Sequence, residues 1–421
     1  MLFESFSAAQ STLLWSVFGV AFLMGAVVNK TNFCTMGAVS DMVNMGDYSR
    51  FRSWLLAITV AMVGMLILES VGMVNPDGSF PPYRANQLIW AENLLGGFLF
   101  GIGMTLASGC GNKTLIRIGG GNIKSIFVFL IVGIIAYFMT SPFPGSDQTL
   151  FSVLFYDWIR PLAISLDTKQ DLGSIINSEN PMQMRQIAGG IIALLLIAYI
   201  VKNKAFRVNP EHWLAGILVG LAVLAGWYLS SNMMIDIPDE GEQYTLVEYY
   251  DNWDMISDTE EGKPSQGTTL SPQSFTFVNP MGQTIGYASS ALQASLLTFG
   301  IISVFGVILG SLVWSLISKS FRIEWFYNIK DFVNHVIGAI LMGFGGVLAM
   351  GCTIGQGITG LSTLAVGSFI AFAAIIFGSA LTMKTQYYQM LYEDASFFAA
   401  LTTALVELKL LPAGMRKLEA L

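Results

Sequence analysis

The chain has 421 residues, 53% of them hydrophobic and only 12% charged, where a soluble domain carries about 25% charged residues. That balance excludes a soluble globular domain, and a net charge of -7 with sparse, scattered Lys and Arg leaves no footprint for nucleic acid. Three cysteines without a Cys-x-x-Cys pair exclude a disulfide framework and a dithiol redox centre.

Apolar segments of spanning length, about 17–25 residues, are predicted over 12–28, 54–72, 92–108, 123–140, 186–202, 212–229, 291–317, 333–350 and 363–382. The fold class is therefore an all-α polytopic membrane protein of about nine transmembrane helices. The first segment lacks the basic flank of a cleavable signal, because residues 1–11 hold no Lys or Arg. Residues 1–184 read as a first half, 185–205 as a linking helix, 206–383 as a second half with an acidic insertion at 230–290, and 384–421 as a cytoplasmic tail. Leu150 to Ile159 is an apolar piece expected along the interface.

Basic residues fall in alternate loops: Arg50 and Arg52; Lys113, Arg117 and Lys124; Lys202, Lys204 and Arg207; Lys319, Arg322 and Lys330; then Lys384. The positive-inside rule then puts the N-terminus outside and the C-terminus in the cytoplasm. The acidic insertion is expected outside as a solvated loop.

The chemistry sits at glycine-coded helix breaks. Gly343 to Gly360 begins as a helix of small residues and turns at Cys352 into a run holding Gly355, Gly357 and Gly360. Each such glycine costs a helix about 1 kcal/mol against alanine. Irregular backbone inside a bilayer survives only when buried in protein or lining a cavity. The same spacing, a glycine nine residues ahead of a cysteine, recurs from Gly25 to Cys34 and from Gly101 to Cys110. A fourth copy, Gly220 to Leu229, carries leucine at the cysteine position. With nine spans, the odd fifth inverts the second half. The pattern predicts inverted repeats with short re-entrant helices and cysteine loops meeting at the midplane. Helix N-termini aimed inward would favour an anion.

Lys113 either reaches the site as a counter-charge or snorkels to the inner face. Asn112 and Gln356 are polar ligands or caps of freed backbone. His212 and His335 sit at inner helix starts and read as interfacial residues, and no metal or cofactor is expected. Buried in apolar surroundings, the thiols should stay protonated and serve as weak donors.

Phe33-Cys34 with Asp41 downstream, Gly109-Cys110-Gly-Asn-Lys113 and Gly351-Cys352-Thr-Ile-Gly-Gln-Gly357 resemble the three cysteine loops of the YeeE/YedE family. Asn209-Pro210-Glu-His-Trp213 and Phe275-Thr-Phe-Val-Asn-Pro280 are similar to its second-half segments. The resemblance implies an inner-membrane transporter for thiosulfate rather than an enzyme. It implies a conducting site at Cys34, Cys110 and Cys352 with Gly111, Asn112, Lys113, Thr353 and Gln356 beside them. It also implies a cytoplasmic sulfur-carrier partner of the TusA type. Other readings of the pattern are transport of another sulfur or selenium compound, transport of a soft metal ion, or a membrane sulfur-transfer enzyme. The last lacks a histidine near any cysteine in sequence.

Overall fold

The computed structural model describes residues 1–237, 242–255, 270–392 and 394–419. The main helices are α1 (Phe6–Thr31), α2 (Thr35–Ser40), α3 (Ser49–Ser70), α4 (Trp90–Leu106), α5 (Gly111–Gly119) and α6 (Ile123–Thr140). They continue as α7 (Pro181–Val201), α8 (Pro210–Ser231), α9 (Val278–Ser289), α10 (Phe299–Ile317), α11 (Ile329–Leu348), α12 (Val366–Leu391) and α13 (Phe397–Glu407). Among the described residues, nine segments are long and apolar enough to cross a membrane, with α1 continuing into α2 and α4 into α5. Many starts are set by local chemistry. Ser5, Asn122, Asn209, Thr298 and Asn328 accept a backbone N–H at the first turns of α1, α6, α8, α10 and α11, satisfying donors that a helix start leaves orphaned.

Four boundaries differ from the sequence expectation. The helix of the fourth copy does not break at Leu229: α8 runs unbroken through it to Ser231, because leucine offers no reason to stop. The acidic insertion is shorter than 230–290, since Phe275, Phe277 and Val278 are fully buried and α9 begins at Val278. Its residues 238–241 and 256–269 lie outside the described residues. The seventh span starts at Phe299 rather than 291, after Ala291 and Leu292 take left-handed conformations that end the preceding turn. Finally, Lys384 belongs to α12 rather than to the tail.

The helices pack pairwise. α1 lies along α10 and α8, α3 along α8 and α7, α4 between α11 and α12, and α6 against α9 and α11. Short strands tie the ends: Leu2–Phe3 pairs in parallel with Met234–Ile237, and Gln87–Leu88 pairs antiparallel with Ile164–Ser165. The α1–α10 crossing is a backbone approach. A Cβ at Gly310 would enter the van der Waals shell of the Phe22 carbonyl, and one at Gly25 that of Val307. Small residues make such crossings possible in lipid, where packing replaces the hydrophobic drive. Gly310→Val is expected to lower the melting temperature in detergent, with a cost of at least about 1–3 kcal/mol from forced separation of backbones. Gly19→Val, at an exposed α1 position with open space around it, is expected to leave melting unchanged.

The tail docks through one carboxylate. Glu407 accepts from Lys384, Tyr388 and Arg416 at 2.8, 2.6 and 2.7 Å. Burial opposes its ionisation, but these hydrogen bonds outweigh it and bring the carboxyl down to about 2 from an ordinary 4.5. A depressed acid stabilises above its unfolded value and loses that contribution as pH falls through the folded one. Limited proteolysis of the tail should therefore accelerate as pH drops from about 4.5 toward 2, and Glu407→Gln should show fast cleavage at neutral pH.

Candidate functional site

The three cysteines occupy one backbone device. Two positions before each, a residue adopts the left-handed conformation: Asn32 (φ 51°), Ser108 (φ 58°) and Met350 (φ 56°). The next N–H, of Phe33, Gly109 or Gly351, donates back to Val28, Met104 or Gly346 at 3.2, 2.8 and 2.8 Å. This closure satisfies carbonyls orphaned at a helix end. Each cysteine carbonyl then accepts the first bond of the following turn, from Ala38, Thr114 and Gln356 at 2.9, 2.9 and 2.8 Å. One helix stops and another starts within a few residues, and the thiol stands at the start of the second.

The breaks meet inside the protein. Cys34, Cys110 and Cys352 are free and buried, and Cys110 neighbours both other thiols. A Cβ on Gly111 would stand 3.7 Å from the Cys352 Cβ, the Phe277 Cβ and the Met281 Cε, so segments distant in sequence touch there. The Cys352 sulfur faces the N–H groups of Ile354, Gly355 and Phe277 and the Thr276 hydroxyl. The Thr353 hydroxyl and the Lys113 N–H face Cys110. Phe277 caps the start of α9, so another helix N-terminus points to the same place.

Each cysteine has a buried polar neighbour without a nitrogen or oxygen partner. These atoms are Thr35 Oγ1 beside Cys34, Asn112 Oδ1 two residues beyond Cys110, Thr353 Oγ1 beside Cys352, and Thr276 Oγ1. Trp54 Nε1 is also buried without a partner, and its ring stacks on Phe33 at 4.5 Å. Buried orphans of this kind are few in native proteins. Gln356 has a different role: its amide N–H donates to the Ala349 carbonyl at the end of α11, which is the capping alternative, while its oxygen stays unpartnered. Lys113 points into a cavity, with Nζ 3.5 Å from Asn32 Oδ1. Trp54, Thr35 and Thr276 were not legible as site residues. Thr276 lies in a run noted for its family likeness but assigned to the insertion, and Trp54 joins the site only through tertiary stacking.

The two sides of the thiol cluster differ. Cys34 lines an open cavity of about 400 Å³. The Cys352 segment is clamped: Tyr83 Oη donates to the Gly355 carbonyl at 3.0 Å and Arg84 Nε to that of Thr363 at 2.9 Å. Arg84 is fully buried and paired with Glu69 at 2.7 Å, which also holds Arg185 at 2.9 Å. Trp227 packs edge-on to Tyr83 and donates to Ser362 Oγ at 3.3 Å. Among the described residues no group of three or more His, Cys, Asp or Glu is placed to hold a metal ion.

Fold and site together define a multi-pass helical membrane protein with thiols and orphaned polar atoms in its interior. The family model described as sulphur transport matches residues 30–381, and the chain belongs to that family, YeeE/YedE. It is 26% identical over 378 residues to the thiosulfate transporter TsuA of Spirochaeta thermophila, covering 87% of this chain and 97% of that one. It is 24% identical over 366 residues to the thiosulfate transporter TsuA of Escherichia coli strain K12, covering 85% and 90%.

The orphaned hydroxyls have a stability signature. Replacing one by an isosteric methyl removes a desolvated group worth about 1–3 kcal/mol when unsatisfied. Thr35→Val and Thr353→Val are expected to melt at or above the parent temperature. Thr359→Val, which loses a 2.7 Å bond to the Phe275 carbonyl, should melt lower. Thermal scans of the three purified variants check this ordering.

Proposed function

We propose that this protein takes up thiosulfate, handing the dianion along Cys352, Cys110 and Cys34 into the open cavity. The observation that carries the reading is the convergence of three thiols, each at a helix start and each within two residues of a buried polar atom that has no nitrogen or oxygen partner. Protonated thiols and helix N–H groups are donors, and a thiolate would repel the substrate. S–H is a weak donor, matched to diffuse sulfur but too weak to replace the tight hydration of sulfate. Several weak sites in series permit release, as conduction requires. Gly111 lies where the Cys110 and Cys352 segments meet. Asn112 and Thr353 supply polar contacts, Lys113 draws the anion onward, and Gln356 chiefly holds the break. The relatives' names support transport of a sulfur compound.

In this reading the halves 1–184 and 206–383 are inverted relatives joined by α7. The N-terminus lies outside the bacterial inner membrane and the cavity opens to the cytoplasm. The pairings α1 with α10 and α3 with α8 exchange under such an inversion, as do α4 with α12 and α6 with α11. Moving a dianion inward against about 100 mV costs roughly 4.6 kcal/mol. Uptake therefore needs a sink, which a cytoplasmic sulfur-carrier protein of the TusA type would supply.

Cys110→Ala and Cys352→Ala are expected to abolish uptake of labelled thiosulfate at normal membrane abundance, since losing a small thiol costs folding only about 1 kcal/mol. Serine should not restore it fully, Cys34→Ala should be mildest, and excess sulfate should not compete from outside. Normal transport by both alanine variants would make the cysteines packing residues.

A further inference from the structure

The cavity below Cys34 is built differently from the thiol cluster. Arg50, Lys113, Arg117 and Arg322 line it, against the lone carboxylate of Glu324. Arg50 is neutralised by Asp41, and Glu324 is held by Asn122 Nδ2. No ion pair among the described residues engages Lys113, Arg117 or Arg322, and the nearby Lys124 takes Asp331 instead. Lys113 and Arg117 are four apart on α5, so they share one helix face, an arrangement of like charges that is unfavourable by itself. The backbone also ties the walls: Arg322 N–H donates to the Gly120 carbonyl and Ile123 N–H to that of Glu324, both at 3.0 Å. These bonds hold Arg322 against the end of α5. Cys34 and Ser108, which sit at two of the helix breaks, also line it, so the cavity reaches the first of the three thiols.

We propose that this cavity is a second anion site, which binds small dianions by charge and receives the transported ion as it leaves the thiols. The inference rests on the transport reading. Its distinguishing property is selectivity. Thiol donors favour an exposed sulfur, whereas a cluster of unpaired cations between low-dielectric walls concentrates any small oxyanion. Sulfate, excluded at the outer approach, is therefore a ligand at the inner one. Guanidinium groups, with their fixed forks of donors, suit tetrahedral oxyanions.

The test compares labelled thiosulfate uptake by right-side-out and inside-out membrane vesicles from expressing cells, with sodium sulfate in the medium and sodium chloride at matched ionic strength as control. Sulfate is expected to compete in inside-out vesicles and not in right-side-out ones. In the double variant Arg117→Gln/Arg322→Gln, the inner half-saturation for thiosulfate should rise roughly fivefold, the scale of removing two solvent-reached charges. Sulfate competition should weaken with it, while the outer half-saturation keeps the parent value, which also shows that the variant is folded. Arg117→Lys/Arg322→Lys should restore most of the inner affinity. Sulfate competition from neither face, from both faces alike, or only from outside would overturn the site, as would an unchanged inner half-saturation in the glutamine variant. Parent vesicles that move no thiosulfate in either orientation would instead remove the transport reading, and this site with it.

Discussion

An interrupted helix inside an apolar slab must find partners for the carbonyls it frees and the N–H groups it exposes. The structure meets that constraint three times in the same way. A left-handed residue closes the first helix, and a cysteine carbonyl opens the next. The rest of the interior follows from this device. Gln356 caps the Ala349 carbonyl, Tyr83 and Arg84 reach in to hold the Gly355 and Thr363 carbonyls, and Thr359 holds that of Phe275. What these partners leave over is directional: first-turn N–H groups and side-chain donors aimed at the sulfurs.

Part of the polarity around the breaks is left without a hydrogen-bond partner. Away from the thiols, charges in the Arg84, Glu69 and Arg185 network pair with one another, while Asn93, Ser231 and Ser368 also keep buried atoms without a hydrogen-bond partner. Beside the thiols, Thr35, Asn112, Thr276, Thr353 and Trp54 each retain an atom with no oxygen or nitrogen partner. Leaving such atoms desolvated is destabilising, and in the proposed reading an anion that accepts from the donors among them offsets that cost. The same protein then changes register toward the open side, from weak neutral donors to full positive charge at Lys113, Arg117 and Arg322.

The nine apolar spans among the described residues and the three breaks at cysteines were legible because both are local. Hydropathy marks a span, and a glycine-rich run ending in cysteine marks a break. The start of α9 beside the thiols was not legible. This helix starts at Val278 with Phe277 as its cap, separated from α8 by the acidic insertion, and phenylalanine carries no sign of a helix start. Trp54 and Tyr83 were missed for another reason: what recruits them is contact with Phe33 and with the Gly355 carbonyl, far away in sequence. Lys113 was legible only as an ambiguity, because a lysine near a membrane face reads alike whether it snorkels or lines a cavity. Arg322 was read only as a marker of sidedness, since its loop reaches α5 through backbone bonds that no pattern announces.

The central claim is that substrate touches the thiols, and the most direct measurement is their chemical protection. The chain has three cysteines, so mass spectrometry can follow alkylation of each by a small permeant reagent in proteoliposomes. The account predicts that thiosulfate slows modification of Cys110 and Cys352 with a concentration dependence matching its uptake, and that sulfate added outside does not. Alkylation rates indifferent to thiosulfate, in protein that still transports it, would place the path elsewhere.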